Sequence, residues 1–288
     1  MDVGIGLPNP IPGTSGEALL EWARRADARG FSTLATIDRI AYPSHESMVV
    51  LAAAAAVTSR IGLLTNILLA PTREPVVLAK QAASVDQLSG GRFTLGLGVG
   101  GRPDDYEATG QSFHDRGQRM DRMLEVMRRV WGAGPAASDG GAAWSPRPVR
   151  DVGVPLLLGG MVDQSLRRVT AHGVGWTASG MPPEQIADFV QRVRQTWWES
   201  GREGSPRIVA LTYFSLGDDA RERSEAYLRD YYAFLGDWAE QVAQSAAWSP
   251  DDVRARLSAF REVGADELVF DPTVADPEQV DLLADAVL

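Results

Sequence analysis

The chain has 288 residues, a hydrophobic fraction of 44% and a net charge of −10, the profile of a folded globular protein rather than a disordered or collagenous one. An acidic surface repels phosphate backbones and anionic lipid, so neither nucleic acid nor a membrane is an expected partner. With no cysteine in the chain, disulfides, thiolate catalysis and cysteine-bound metals are excluded.

The opening residues, MDVGIGLPNP, carry no basic stretch ahead of an apolar core, and the longest apolar run, Met48–Val57, is too short to span a bilayer. A cytoplasmic protein is expected. Val3–Leu7 is an apolar run closed by prolines and reads as a first strand. Thr14 or Ser15 can cap the helix that follows, whose apolar residues Leu19, Trp22, Ala23 and Ala26 recur at helical spacing up to Gly30. Phe31–Ile37 is a second strand and Glu46–Ser59 an alanine-rich helix. Ile61–Ala70 is a continuous apolar run, the mark of a strand buried on both faces. A helix over Pro75–Leu88 starts on proline and ends before Gly90-Gly91.

Phe93–Val99 is a fourth strand that breaks into glycine. Arg116–Trp131 is a long amphipathic helix, and Ala133–Gly153, rich in Gly, Pro, Ala and Ser, is a surface excursion, readable as a small β-arm. Val154–Leu158, Gly173–Ala178, Arg207–Leu216 and Glu267–Phe270 complete the strands. The helices between and after them are Val162–Ala171, Ile186–Trp198 and Pro277–Val287. Asp218–Gly264 is longer than one crossover needs and divides into two or three helices, near Gly236 and at Trp248–Pro250. Eight strand–helix units favour a single (β/α)8 TIM barrel over residues 1–288. In such barrels chemistry sits where the strands end.

That rule gives a short candidate list. Gly159-Gly160-Met161 opens a helix, where bare amides and the helix dipole suit a phosphate; a tight turn that needs only glycine conformations accounts for the pair equally well. Gly96, Gly98, Gly100 and Gly101 either clear backbone for a flat ring or pack the barrel interior. Asp38-Arg39 can fix a substrate or form a rim ion pair. His45, in the same loop, can exchange a proton near neutral pH or be incidental. His114 and Asp115 read as helix-capping residues, Asp104-Asp105 as a solvated turn, and Trp197-Trp198 and Tyr231-Tyr232 as one core and one interface residue each. Three separated histidines give no metal-ligand spacing, and no nucleophile elbow or phosphate loop is present, which removes hydrolase and kinase readings.

Several stretches together resemble the bacterial-luciferase-like flavin oxidoreductases: ADARGFSTLATID (26–38), IGLLTNILLAPTREP (61–75), LAKQAASVDQLSGGRFTLGLGVG (78–100) and PLLLGGMVDQSLRRVTAHGVGW (155–176). The resemblance implies a (β/α)8 barrel that binds reduced FMN or the deazaflavin coenzyme F420 in its mouth. It implies a cis peptide bond at Asn66–Ile67 beneath the ring, the ring near Gly98 and Gly100, the phosphate at Gly159, Gly160 and Met161, and Asp38 near ring or substrate. It further implies a small-molecule substrate, a homodimer and, for FMN, a flavin reductase as supplier. Two departures stand out. Arg39 occupies the place where many relatives carry a histidine, and Gly101 the place where deazaflavin sugar-phosphate dehydrogenases carry a glutamate. Arg39 and Arg102 therefore suggest an anionic group on substrate or cofactor, and Arg39, His45 and Arg102 are the catalytic candidates. The expected function is hydride transfer to, or monooxygenation of, a small organic substrate. The alternatives are a non-catalytic flavin-binding or partner subunit of the same fold and, from the barrel alone, a metal-independent lyase or isomerase.

Overall fold

In the computed structural model, which describes residues 1–132 and 146–288, strands and helices alternate along the chain. The strands are β1 (Asp2–Gly6), β2 (Thr33–Thr36), β3 (Gly62–Thr65), β4 (Leu68–Leu69), β5 (Phe93–Gly98), β6 (Leu156–Gly159), β7 (Gly175–Thr177), β8 (Arg207–Phe214) and β9 (Glu267–Pro272). Every pairing among them is parallel. The order is β3-β2-β1-β9-β8-β7-β6-β5-β4, and a further β3–β5 pairing closes the sheet. β3 and β4 are two pieces of one stave: Leu63 pairs with Phe93, and Leu68 with Leu97, on the same β5. The result is an eight-stave parallel barrel ringed by helices.

The strand expected to run unbroken through Ile61–Ala70 is thus interrupted, and the Asn66–Ile67 peptide bond inside the gap is cis. Glycine makes room there. A Cβ on Gly98 would lie 1.9 Å from Ile67 Cδ1, so the isoleucine side chain occupies the space a side chain at 98 would need.

The helices are α1 (Gly16–Arg29), α2 (Ser47–Val57), α3 (Pro75–Leu88), α4 (Pro103–Ala108), α5 (Arg116–Val130), α6 (Asp163–His172), α7 (Pro183–Glu199), α8 (Ala220–Tyr231), α9 (Trp238–Ala243), α10 (Pro250–Glu262) and α11 (Glu278–Val287). Ser15, not Thr14, caps α1: its Oγ accepts from Ala18 N at 3.1 Å, the usual use of a serine at this position. α5 buries Met120, Met123, Leu124 and Met127, a spacing of three and four that holds one face on the barrel. The long segment before β9 divides as expected, into α8, a short 3-10 turn at Ala233–Leu235, α9 and α10. Of the 133–153 excursion, 133–145 lie outside the described residues. Residues 146–153 contain no strand, and Val149 N docks them on Asp86 Oδ2 at 2.7 Å.

Three apolar clusters hold the fold among the described residues. The largest lies between barrel and helices, and another gathers Leu211, Tyr213, Leu228, Ala243 and Ala246 where β8 meets α8 and α9. A small one fills the barrel interior, where Ala35, Leu64, Leu157, Val209 and Val269 meet. Each such aliphatic side chain larger than alanine contributes about 1.5–3 kcal/mol on burial. This inner layer plugs the barrel and leaves space for a ligand above it, at the C-terminal ends of the strands. Among the described residues, no helix is long and apolar enough to cross a membrane.

Candidate active site

A cavity of about 200 Å³ opens at that end of the barrel. Its wall combines the β2 end (Ile37, Asp38, Arg39), the β3–β4 junction (Asn66, Ile67, Leu69) and the loop after β5 (Gly100, Gly101, Arg102). The rest comes from the ends of β6, β7 and β8 and, from α8 and its exit, Tyr231 and Tyr232.

Asp38 is a clamp. Its Oδ1 accepts from Ser47 Oγ at 3.0 Å and Arg73 Nη2 at 2.9 Å, and its Oδ2 from Leu69 N at 2.9 Å and Arg73 Nη1 at 2.7 Å. With its carboxylate enclosed, it ties the end of β2 to the backbone just beyond the β3–β4 junction. Asp38 against Asn66–Leu69 therefore fixes the cavity floor, and its oxygens are already engaged. Arg73, which the sequence did not single out, supplies the charge that makes the burial tolerable.

Arg39 is likewise engaged. Its side chain is 3% exposed, with Nε 2.9 Å from Asp105 Oδ2 and Nη2 2.8 Å from Asp104 Oδ2. Asp105 Oδ1 also accepts the Ile40 and Ala41 amides, both at 2.8 Å. The expected solvated turn at Asp104-Asp105 is instead the first turn of α4, and Asp105 is fully buried. This corrects the idea of Arg39 as a free receptor for an external anion, because two carboxylates already compensate its charge. One nitrogen, Nη1, is buried without a partner.

His45 does not line the cavity. Its Nε2 meets the Thr14 carbonyl at 2.8 Å and its amide donates to Asn9 O at 3.0 Å, so it pins the loop after β1 to the loop after β2. The proton-exchange role suggested by its sequence position has no geometric support. Asp115 stands at the start of α5 without a side-chain capping bond; its carboxylate accepts from Arg119 instead, at 2.8 Å.

Arg102 is different. It lines the cavity and has no carboxylate within ion-pair distance among the described residues. Its guanidinium lies over the rings of Phe234, Tyr231 and Tyr232, at 3.9, 4.5 and 5.5 Å, an arrangement in which the ring quadrupoles hold the cation. Tyr231 and Tyr232, read from the sequence as one core and one interface residue, are both part of this wall.

The glycines separate into two groups. A Cβ on Gly96 would lie 1.9 Å from the Thr65 carbonyl oxygen, so Gly96 and Gly98 serve packing rather than access to a ring. Gly100, Gly159 and Gly160 line the cavity, whereas Met161 does not. Gly160 has φ +103, which a side chain would disfavour, and it leads into α6. The first amides of α6, at Asp163 and Gln164, have no protein acceptor among the described residues. Asp163 turns its carboxylate to Arg192, at 2.5 Å.

Thr177 Oγ1 donates to Asn66 Oδ1 at 2.5 Å, which leaves Asn66 Nδ2 buried without an acceptor. Tyr213 and Tyr232 join their hydroxyls at 2.6 Å. Asp271, paired with Tyr213 in the β8–β9 register, has neither carboxylate oxygen bonded, and burial pushes its pKa well above the usual carboxylate range.

A parallel barrel whose mouth joins an interrupted third stave to a glycine turn at the sixth strand agrees with the comparison to known sequences. A family model described as luciferase-like monooxygenase matches residues 1–286. The chain belongs to the luciferase-like monooxygenase family. An uncharacterised protein of Mycobacterium tuberculosis, Rv0940c, is 30% identical over 229 residues, 70% of this chain and 79% of that protein. An F420-dependent secondary alcohol dehydrogenase, solved with an F420-acetone adduct, superposes with a TM-score of 0.81 at 17% identity, over 99% of this chain and 98% of the other. The oxygenating constituent of 3,6-diketocamphane monooxygenase from Pseudomonas putida, a type II Baeyer-Villiger monooxygenase in complex with FMN, gives 0.72 at 16% identity, over 99% and 96%. At these identities the two structural likenesses establish the fold. Within the luciferase-like monooxygenase family, this member presents a mouth with no histidine in its wall among the described residues, an aromatic cage around Arg102 and a paired tyrosine motif.

Proposed function

We propose that this protein is an oxidoreductase that binds a reduced flavin-type cofactor, FMN or F420, at the barrel mouth and acts on a small organic substrate. One observation carries the reading: a single cavity contains both the Asn66–Ile67 junction, with its unpartnered Asn66 Nδ2 donor, and the Gly159-Gly160 turn. The residues fit such a group. Asn66 Nδ2 offers a donor to a ring heteroatom or carbonyl, Ile67 an apolar surface under a ring face, and the free amides at the start of α6 a place for a phosphate. Two solved neighbours of the same fold are complexes with an F420 adduct and with FMN, which supports this class of cofactor for the present chain. When bound, such a ring supplies hydride or reduced-flavin chemistry, while the protein supplies orientation and electrostatics. The chain's own part is to hold the floor rigid through Asp38 and Arg73, to exclude water with the tyrosine wall and to present Arg102 to developing negative charge. A homodimer and, for FMN, a separate reductase supplying reduced flavin complete the reading.

Titration with FMN and F420, oxidised and reduced, followed by fluorescence, tests it. Saturable binding of one of them, weakened by Asn66→Ala, is expected; failure of all four to bind refutes it. The alternative of a flavin-binding or partner subunit without turnover draws on the cavity's lack of a histidine. It predicts binding with no consumption of reduced cofactor, in oxygen or with carbonyl and enone acceptors.

A further inference from the structure

The two hydroxyls of Tyr213 and Tyr232 share one hydrogen bond, at 2.6 Å, and both residues line the cavity. Two phenols carry two protons. One is committed to the pair, and the other has no acceptor among the described residues. Burial raises the pKa of both phenols, so they remain neutral donors at physiological pH. In such a chain the terminal O–H is strengthened, because the oxygen that carries it already accepts a bond. Around this donor the wall is aromatic: the Tyr213 and Tyr232 rings meet edge-on at 6.0 Å, and Tyr231 and Tyr232 at 5.1 Å. Arg102 lies 5.5 Å from the Tyr232 ring centroid, and its field favours negative charge on an oxygen placed at the donor.

We propose that the Tyr213–Tyr232 pair is the substrate's oxygen-binding site and that the substrate is a small, largely apolar carbonyl compound whose carbonyl oxygen accepts the free phenolic proton. A carbonyl fits better than a carboxylate. The donor is neutral, and Arg102 is capped by three aromatic rings on which it is already held, which suits through-space polarisation better than direct pairing with a full anion. The inference rests on the cofactor reading in one respect: it places the substrate in the same mouth.

The probe is cyclohexanone labelled with carbon-13 at the carbonyl, observed by NMR with the full-length protein, alone and after saturation with whichever of FMN or F420 binds. Cyclohexanecarboxylate is the comparison ligand. In the parent, the bound carbonyl signal should move downfield, as a hydrogen-bonded carbonyl does. Replacing both tyrosines (Tyr213→Phe with Tyr232→Phe) should return it to the free position and weaken ketone binding about tenfold, as expected for loss of a well-formed hydrogen bond. If the double variant does not fold, Tyr232→Phe alone should move the signal partway back. An unmoved signal in a folded variant overturns the proposal, as does a parent that binds the carboxylate but not the ketone, or neither. Loss of cofactor binding in the parent would instead count against the cofactor reading, and the ketone shift would still report on the tyrosine pair.

Discussion

Thr177, at the end of β7, donates its hydroxyl to the side-chain oxygen of Asn66, at the end of β3, with β5 and β6 between them in the sheet. An asparagine amide can present either its oxygen or its nitrogen to a cavity. This bond holds the oxygen toward Thr177 and so commits Nδ2 as the available donor. Thr177→Val should leave Asn66 free to turn. Cofactor affinity, measured by fluorescence titration, should fall about three- to tenfold, the equivalent of one ordinary hydrogen bond. Because the variant also strands a buried acceptor, the unfolding free energy should fall by about 1–3 kcal/mol. Unchanged affinity would show that Asn66 does not meet the cofactor through its amide nitrogen.

His45 and Arg102 separate a loop-pinning role from a site role. His45→Phe removes the contact to the Thr14 carbonyl and should cost about 1 kcal/mol of stability, with the cofactor Kd unchanged. Arg102→Gln removes from its aromatic cage a charge that has no carboxylate partner among the described residues. It should weaken anionic ligands at low salt and have less effect as salt screens the parent. Chemical denaturation and titration on the same two variants check both statements.

The barrel was legible from the chain because hydrophobic runs, prolines, glycines and capping residues repeat in phase with it. The positions of Pro8, Asp38, Gly159 and Asp271 at or near strand ends followed from that rhythm alone, whereas Asn66 falls inside a run that reads as one unbroken strand. What a side chain does there was less legible. Arg39 looked like a substrate-facing cation because its partners Asp104 and Asp105 lie more than sixty residues away, on a short helix that one-dimensional patterning reads as a turn. Asp38 looked available for the same reason: Arg73 belongs to the next unit. Tyr232 comes from a helix whose pattern says only that one face is buried, so its meeting with Tyr213 depends on how α8 folds back over the mouth. Gly96 and Gly98 show the limit of composition: a glycine cluster signals close approach, but whether a ligand or the next strand approaches is a tertiary matter.

Asp38 and Arg73 make a testable pair. With the Asp38 carboxylate enclosed and Arg73 largely so, removing one partner leaves a buried charge uncompensated. Arg73→Ala should cost about 3–5 kcal/mol, whereas replacing both by apolar residues of similar size should cost less than the single change. The larger loss in the single variant, read from urea denaturation, is the signature of a buried ion pair. Equal losses would mean that packing, not charge, holds the β2 end against the β3–β4 junction.

Asp271 gives a pH-dependent prediction. Burial raises its pKa in the folded protein well above the ordinary value of 3.8. Below about pH 4, folded and unfolded chains both hold the proton and the group contributes no difference. Above that, the unfolded chain releases its proton while the folded chain retains it. Stability therefore falls by about 1.4 kcal/mol for each pH unit until the folded pKa is reached. Asp271→Asn keeps the shape but has no proton to lose. The variant and parent should unfold at similar temperatures near pH 4, and the variant should gain on the parent as the pH rises from there, until the raised folded-state pKa is passed. A gap that stays constant across this range would mean that the Asp271 carboxyl ionises as readily in the folded barrel as in the open chain, and hence that water or another polar group reaches it behind the Tyr213–Tyr232 pair.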